Sequence, residues 1–197
     1  MASLMLLVEG ESDKELARRL ALHCGHTVRH VRVARGSGNL DTSLSKCRDA
    51  ARNGVNYFIL RDTDGRCPVE VLAELAPGSQ SEPGFCLRLA HRESETWLLA
   101  SRRAAAEYFG FSAARIPADL EQVADPKRLL LQLCQKSRKR LIREDVVTQL
   151  SSGALACGPL YVSHLNDFYA AHWDIAEAMT ESDSLRRAVL ALQHAMC

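Results

Sequence analysis

"YFILRDTDG", residues 57–65, decides the fold. An apolar run without polar alternation, "VNYFIL" (55–60), reads as a strand buried on both faces, the pattern of a central strand in a parallel sheet. It breaks off into Arg61, Asp62, Asp64 and Gly65. Two carboxylates one residue apart at the end of a buried strand need a reason, because like charges in one small space repel unless some are protonated or a cation neutralises them.

Working outward, "LMLLV" (4–8) is a first short apolar strand, ending at Glu9 and Gly10. Ser12 with Glu15 forms a capping-box pattern before Leu16, Ala17, Leu20, Ala21 and Cys24, which recur at helical spacing. "TVRHVRVAR" (27–35) alternates apolar and basic residues, as a half-exposed strand does, and a helix is predicted over about 42–53, ending at Asn53 and Gly54. A short helix near 68–76, the turn-rich "PGSQSEPG" (77–84), a fourth strand "FCLRLA" (85–90) and a helix "ESETWLLASRRAAAEYF" (93–109) follow. The resulting order, β-α-β-α-β-α-β-α, predicts an α/β fold with an open, mainly parallel, Rossmann-like sheet flanked by helices.

From residue 112 onward the periodicity is almost wholly helical, with Leu130, Leu133 and Cys134 on one face and Leu185, Ala188, Val189 and Leu192 on another. The expected organisation is an α/β domain over 1–111 and a helical C-terminal region, 112–197, packed on it. Trp97 and Trp173 fall within helical apolar patterns and are expected in the core.

Basic and acidic residues number 25 and 24 in 197, so net charge alone selects neither a nucleic-acid nor a membrane partner. No apolar run approaches the roughly 18–20 residues of a membrane-spanning helix, and "MASLMLLVEGESD" lacks a basic leader, so a cytoplasmic protein is expected. The seven cysteines include no CxxC pair and read as free thiols of a reducing compartment.

If the first and third strands are parallel, Glu9, Asp62 and Asp64 meet at the carboxyl edge of the sheet, where open α/β folds bind ligands. In an extended segment Asp62 and Asp64 would point to the same side. Hard carboxylate oxygens suit Mg2+ or Mn2+, which also take up substrate phosphates, so metal-assisted phosphoryl chemistry is the natural use. Each acid alone reads more readily as a turn or helix-capping residue than as a catalytic one; it is the combination that points to a site.

"LLVEGESD" (6–13) followed by "FILRDTDG" (58–65) resembles the two motifs of the Toprim domain, shared by topoisomerases, bacterial primases, recombination-repair proteins and overcoming-lysogenization-defect (OLD) nucleases. "RLAHRESETWLLA" (88–100) and "GPLYVSHLNDFYAAHWD" (158–174) with "SDSLRRAV" (182–189) extend the likeness to a group of small bacterial Toprim-like proteins. The resemblance implies a metal-dependent site: Glu9 as ligand or general acid/base, Asp62 and Asp64 holding Mg2+ (or Mn2+), and a metal-activated water attacking a phosphodiester. Glu93 and Glu95 would supply a further metal ligand, or else serve as first-turn acids favoured by a helix dipole. It also implies a nuclease of anti-phage defence working on DNA, with a separate ATPase as partner, since this chain carries no GxxxxGK[ST] loop. The oligomeric state stays open, a homodimer included. Without zinc-ribbon spacing or a strand-passage apparatus, hydrolysis is favoured over primer synthesis or topoisomerisation. The alternative is a Toprim-fold module that binds nucleic acid or protein without turnover. A haloacid-dehalogenase-type phosphatase fits less well, because its nucleophilic Asp follows the first strand.

Two further features carry weaker signals. "ARGSGN" (34–39) contains a GxG that reads as a turn or a phosphate approach. Lys127, Arg128, Lys136, Arg138, Lys139, Arg140 and Arg143 form a run of seven bases with no intervening acid. Lys136, Arg138, Lys139 and Arg140 are the expected nucleic-acid contacts, with a solvated helix face or a protein-docking surface as the other reading.

Overall fold

The structure, a computed structural model, describes residues 1–77 and 82–195. Residues 78–81, the centre of the expected turn stretch, and Cys197 lie outside the described residues. The chain divides into two compact units, Met1–His91 with Ser184–Cys197, and Arg92–Asp183.

The first unit is built on β1 (Ser3–Val8), α1 (Lys14–His23), β2 (Thr27–Val33), α2 (Ser37–Arg52), β3 (Asn56–Asp62), α3 (Pro68–Leu75) and β4 (Phe85–Ala90). Its four strands are all parallel in the order β2-β1-β3-β4, flanked by helices, as the Toprim/Rossmann-like reading requires. Leu7, Ile59 and Leu87 point to one face and pack with Leu40, Leu44 and Cys47 of α2. The opposite row, Leu6, Phe58 and Cys86, is equally buried, which is why β3 shows no polar alternation. β2 runs along one edge, and its exposed Arg29, His30 and Arg32 blunt the unpaired backbone there.

Two helix starts differ from the sequence reading. Ser12 does not cap α1: the Asp13 carboxylate turns back to accept the Gly10 N–H (2.8 Å), so the chain enters through a 3₁₀ turn, Glu11–Asp13. α2 begins five residues before the predicted 42, absorbing Ser37, Gly38 and Asn39, because the turn is completed at Arg35 and Gly36, both with positive φ (62° and 119°).

The second unit holds α4 (Ser94–Ala100), α5 (Arg102–Phe109), α6 (Pro126–Gln135), α7 (Arg140–Val146), a small antiparallel hairpin of β5 (Val147–Gln149) and β6 (Leu155–Cys157), α8 (Tyr161–Ala171) and α9 (Ile175–Glu181). The predicted single helix 93–109 is broken at Ser101, whose buried hydroxyl bonds Glu177 (3.3 Å) and the Asp174 N–H (3.2 Å) rather than leaving the backbone to continue. The hairpin interrupts the stretch expected to be almost wholly helical. Trp97 and Trp173 are buried, and the Trp173 indole N–H donates to the Trp97 carbonyl (3.1 Å).

The last helix, α10 (Asp183–Ala195), returns to the first unit, where the Leu192 carbonyl lies 3.2 Å from His26 Nε2 and the Val189 carbonyl 3.8 Å from Cys24 Sγ. No helix among the described residues is long and apolar enough to cross a membrane.

Candidate functional site

The strand order reverses at β1, which is flanked by β2 on one side and β3 on the other. Such a switch point opens a crevice beyond the carboxyl ends of the two inner strands. Val8 pairs with Leu60, so Glu9 lies level with the end of β3, and the Asp62 backbone N–H donates to its carboxylate. The other oxygen, Glu9 Oε2, is buried without a hydrogen-bond partner. Burial first, and the negative charge of Asp64 second, push the Glu9 carboxyl above the ordinary glutamate value, against the pull of Arg61 and the Asp62 N–H.

Asp62 is the last residue of β3, and the extended conformation ends there. Asp64 (φ 51°) and Gly65 (φ 78°) both adopt left-handed backbone, and the Arg66 N–H closes the turn onto the Thr63 carbonyl (3.0 Å). Positive φ at both central residues is the requirement of a type I′ turn. The two aspartates are therefore presented by a strand end and a tight turn, not by one extended segment. Thr63 is wholly buried between them, its N–H bonded to the Ala90 carbonyl of β4 (3.1 Å) and its hydroxyl 3.4 Å from His91 Nδ1.

The residue that the sequence reading passed over is Arg61. Only 6% exposed, its guanidinium grips Asp41 of α2 through two bonds (Nε to Oδ1 2.8 Å, second terminal nitrogen to Oδ2 3.2 Å). The other terminal nitrogen donates to the Asp62 carbonyl and lies 3.8 Å from Asp64 Oδ2. A cation is thus built in beneath the acids. An arginine closing an apolar run was the available signal; Asp41, in a polar helix turn, gave none.

A divalent hard cation fits this donor set. Glu9 offers a buried oxygen with no partner, and the exposed Asp64 carboxylate faces it electrostatically. Among the described residues no three His, Cys, Asp or Glu side chains are grouped to cage a metal. Mg2+ commonly takes only one or two carboxylates and completes its shell with waters and substrate phosphate.

Glu93 and Glu95 belong to the second unit and are engaged within it. Glu93 accepts the Lys127 backbone N–H (2.9 Å), and burial raises its carboxyl above the usual value. Glu95, 1% exposed, accepts the Tyr161 hydroxyl (2.6 Å) and pairs with the Lys127 ammonium at 3.6 Å.

Of the expected basic contacts, Lys136, Arg138, Lys139 and Arg140 are all exposed. The Lys139 ammonium is bound to the Tyr108 carbonyl (2.9 Å), Arg140 pairs with Glu144 (2.7 Å), and nearby Arg143 donates to the Ser137 carbonyl (2.5 Å). Among the described residues, Arg128, Lys136 and Arg138 form no ion pair.

No family model matches the chain, and no curated protein matches it. Three solved structures of the C-terminal region of the Xanthomonas campestris pv. campestris OLD protein are similar in part. The iodine-phased one aligns at 16% identity and TM-score 0.42 over 98% of this chain and 94% of that one. The mercury-phased one aligns at 17% identity and TM-score 0.35 over 97% and 98%.

Proposed function

We propose that the protein is a Mg2+- or Mn2+-dependent nuclease that hydrolyses phosphodiester bonds, with DNA as substrate, in a defence system whose ATPase is a separate chain. The observation that carries this reading is the buried, unpartnered Oε2 of Glu9 at the topological switch point, where β3 also ends in Asp62 and the Asp64 turn. Glu9 and Asp64, with Asp62 beside them, would hold the cation, which when bound supplies charge neutralisation at the phosphoryl oxygens. The chain's own groups do the rest. If Glu9 stays outside the metal shell, its raised affinity for a proton suits it instead to take one up and return it at Oε2. Arg61 holds the strand end and the Asp64 turn in register, and the buried Thr63 fixes the turn's root.

The test is conversion of supercoiled plasmid to nicked or linear form by purified protein with Mn2+ or Mg2+. Cleavage by wild type that is abolished in Asp62→Ala and Glu9→Gln is the expected result.

One observation favours a second reading, a binding module without turnover. Arg61 already neutralises part of the acidic cluster from within, so three acids can persist there without a metal. Metal-independent nucleic-acid binding with no cleavage under any divalent ion would select it.

A further inference from the structure

In the second unit a cavity of about 510 Å³ lies between the outer stripe of α6 and the β5–β6 hairpin. Arg128, Gln132, Gln135 and Lys136 line one wall, and Gln149 and Leu155 stand in the other. No acid contributes to the lining. Asp125, which caps α6, is bonded to the Arg128 backbone N–H (2.8 Å) and lies outside it.

Arg128, Gln132 and Gln135 of α6 and Lys136, its C-cap, follow one another at spacings of four, three and one, which places them on one side of the helix. Arg128 sits in the first turn of α6, at the positive end of the helix dipole, where a cation is unfavourable for the helix itself. The Asp125 and Glu93 carboxylates answer the first N–H groups of the helix, and the Arg128 guanidinium, exposed and among the described residues in no ion pair, supplies the positive charge on the groove side. Lys136 marks the other end, eight residues on and so about 12 Å along the axis. That spacing of the two helix positions lets the cations reach separate phosphates of a polyanion. The glutamine amides between them donate to neutral or anionic oxygens alike, and no aromatic ring lines the cavity to stack a base.

We infer that this groove, rather than the Arg138–Arg140 segment, binds the phosphodiester backbone of nucleic acid, without reading its sequence. The inference takes its ligand class from the proposed function, and adds a site outside the acidic crevice. Backbone contacts of this kind give affinity that falls with salt, each neutralised phosphate contributing about 0.9 to the log–log slope on duplex DNA.

The experiment is fluorescence anisotropy of a labelled duplex oligonucleotide in EDTA, titrated between about 50 and 200 mM salt. Both cations are exposed, so glutamine at either position leaves the fold intact, which an unchanged thermal melt checks. R128Q/K136Q should lower the slope by about 1.8 and weaken binding by on the order of a hundredfold at the lower salt. R128K/K136R should restore the slope, and R138Q/K139Q should alter it less. Undiminished affinity and slope in R128Q/K136Q, a larger loss in R138Q/K139Q, or no binding by wild type at the lower salt would each overturn the inference. Because EDTA silences metal chemistry, a protein that binds through this groove but never cuts plasmid defeats the nuclease reading alone. One that cuts while R128Q/K136Q binds normally defeats the groove alone.

Discussion

The Asp62 backbone N–H donates to the Glu9 carboxylate, tying the ends of β3 and β1 together across the switch point. One oxygen of Glu9 is thereby satisfied by the sheet, and the other is left buried and unpartnered. Parallel register brings residue 9 level with the end of β3 whatever its side chain.

Glu9 therefore opposes folding when ionised. Its carboxyl is raised in the folded state, so between the ordinary glutamate value and the raised one the folded chain binds more protons than the unfolded chain. The stabilising contribution is present at acid pH and lost as pH rises through that window. In EDTA, Glu9→Gln should raise Tm at pH 7 by about 1–2 °C, solvent screening of a partly exposed group limiting the effect. The difference should shrink toward pH 4. Thermal melts at the two pH values check it; a Glu9→Gln protein that melts lower at pH 7 would refute the sign.

Asp64 combines a charge with a left-handed backbone, and the two can be separated. Asn tolerates positive φ better than other non-glycine residues, whereas Ala does not. Asp64→Asn should fold about as stably as wild type, the lost repulsion with Glu9 offset by the lost attraction of Arg61, and Asp64→Ala should lose about 1 kcal/mol. Urea denaturation gives the order. Equal stability of the two variants would show that the turn carries no strain. Under the nuclease reading neither variant cuts.

Arg61 is the structural keystone of the acidic cluster. Replacing it by Met leaves Asp41 without its partner and the acids without their internal cation, a change expected to cost about 3–5 kcal/mol. Arg61→Met combined with Asp41→Leu should recover part of that loss, because the buried pair is then replaced by apolar contact. A single variant within 1 kcal/mol of wild type in urea (about the value of an exposed pair) would show the pair to be solvent-screened.

The fold was legible where one local signal sufficed. β1, β3 and β4 are each short apolar runs bounded by turn residues, and β2 alternates because one of its faces meets solvent. The carboxyl-edge position of Glu9 and Asp62 followed from parallel pairing alone. What was not legible depended on tertiary partners. Ser101 breaks a helix because Asp174 and Glu177 are there to meet its hydroxyl, 73 and 76 residues away. The hairpin strands are three residues each, too short for alternation to register. Arg61 stood in plain view beside the aspartates, yet its role needed Asp41, twenty residues earlier on another element.

Glu95 offers the last prediction, because its engagement argues for a structural task. A buried carboxylate that accepts a tyrosine hydroxyl at 2.6 Å and faces an ammonium at 3.6 Å has its charge answered within its own unit. The same contact, with burial as the larger cause, holds the Tyr161 hydroxyl well above the usual tyrosine value, so Tyr161 stays protonated as the donor. Removing the acceptor in Glu95→Ala orphans that buried hydroxyl and should cost about 2–4 kcal/mol, while Tyr161→Phe should cost about 1–2 kcal/mol. The double variant should cost less than the sum, as partners in one bond do. Isothermal titration of Mn2+ completes the test: a structural Glu95 leaves metal affinity unchanged in Tyr161→Phe and in Glu95→Gln, and a tenfold loss in Glu95→Gln alone would make it a ligand.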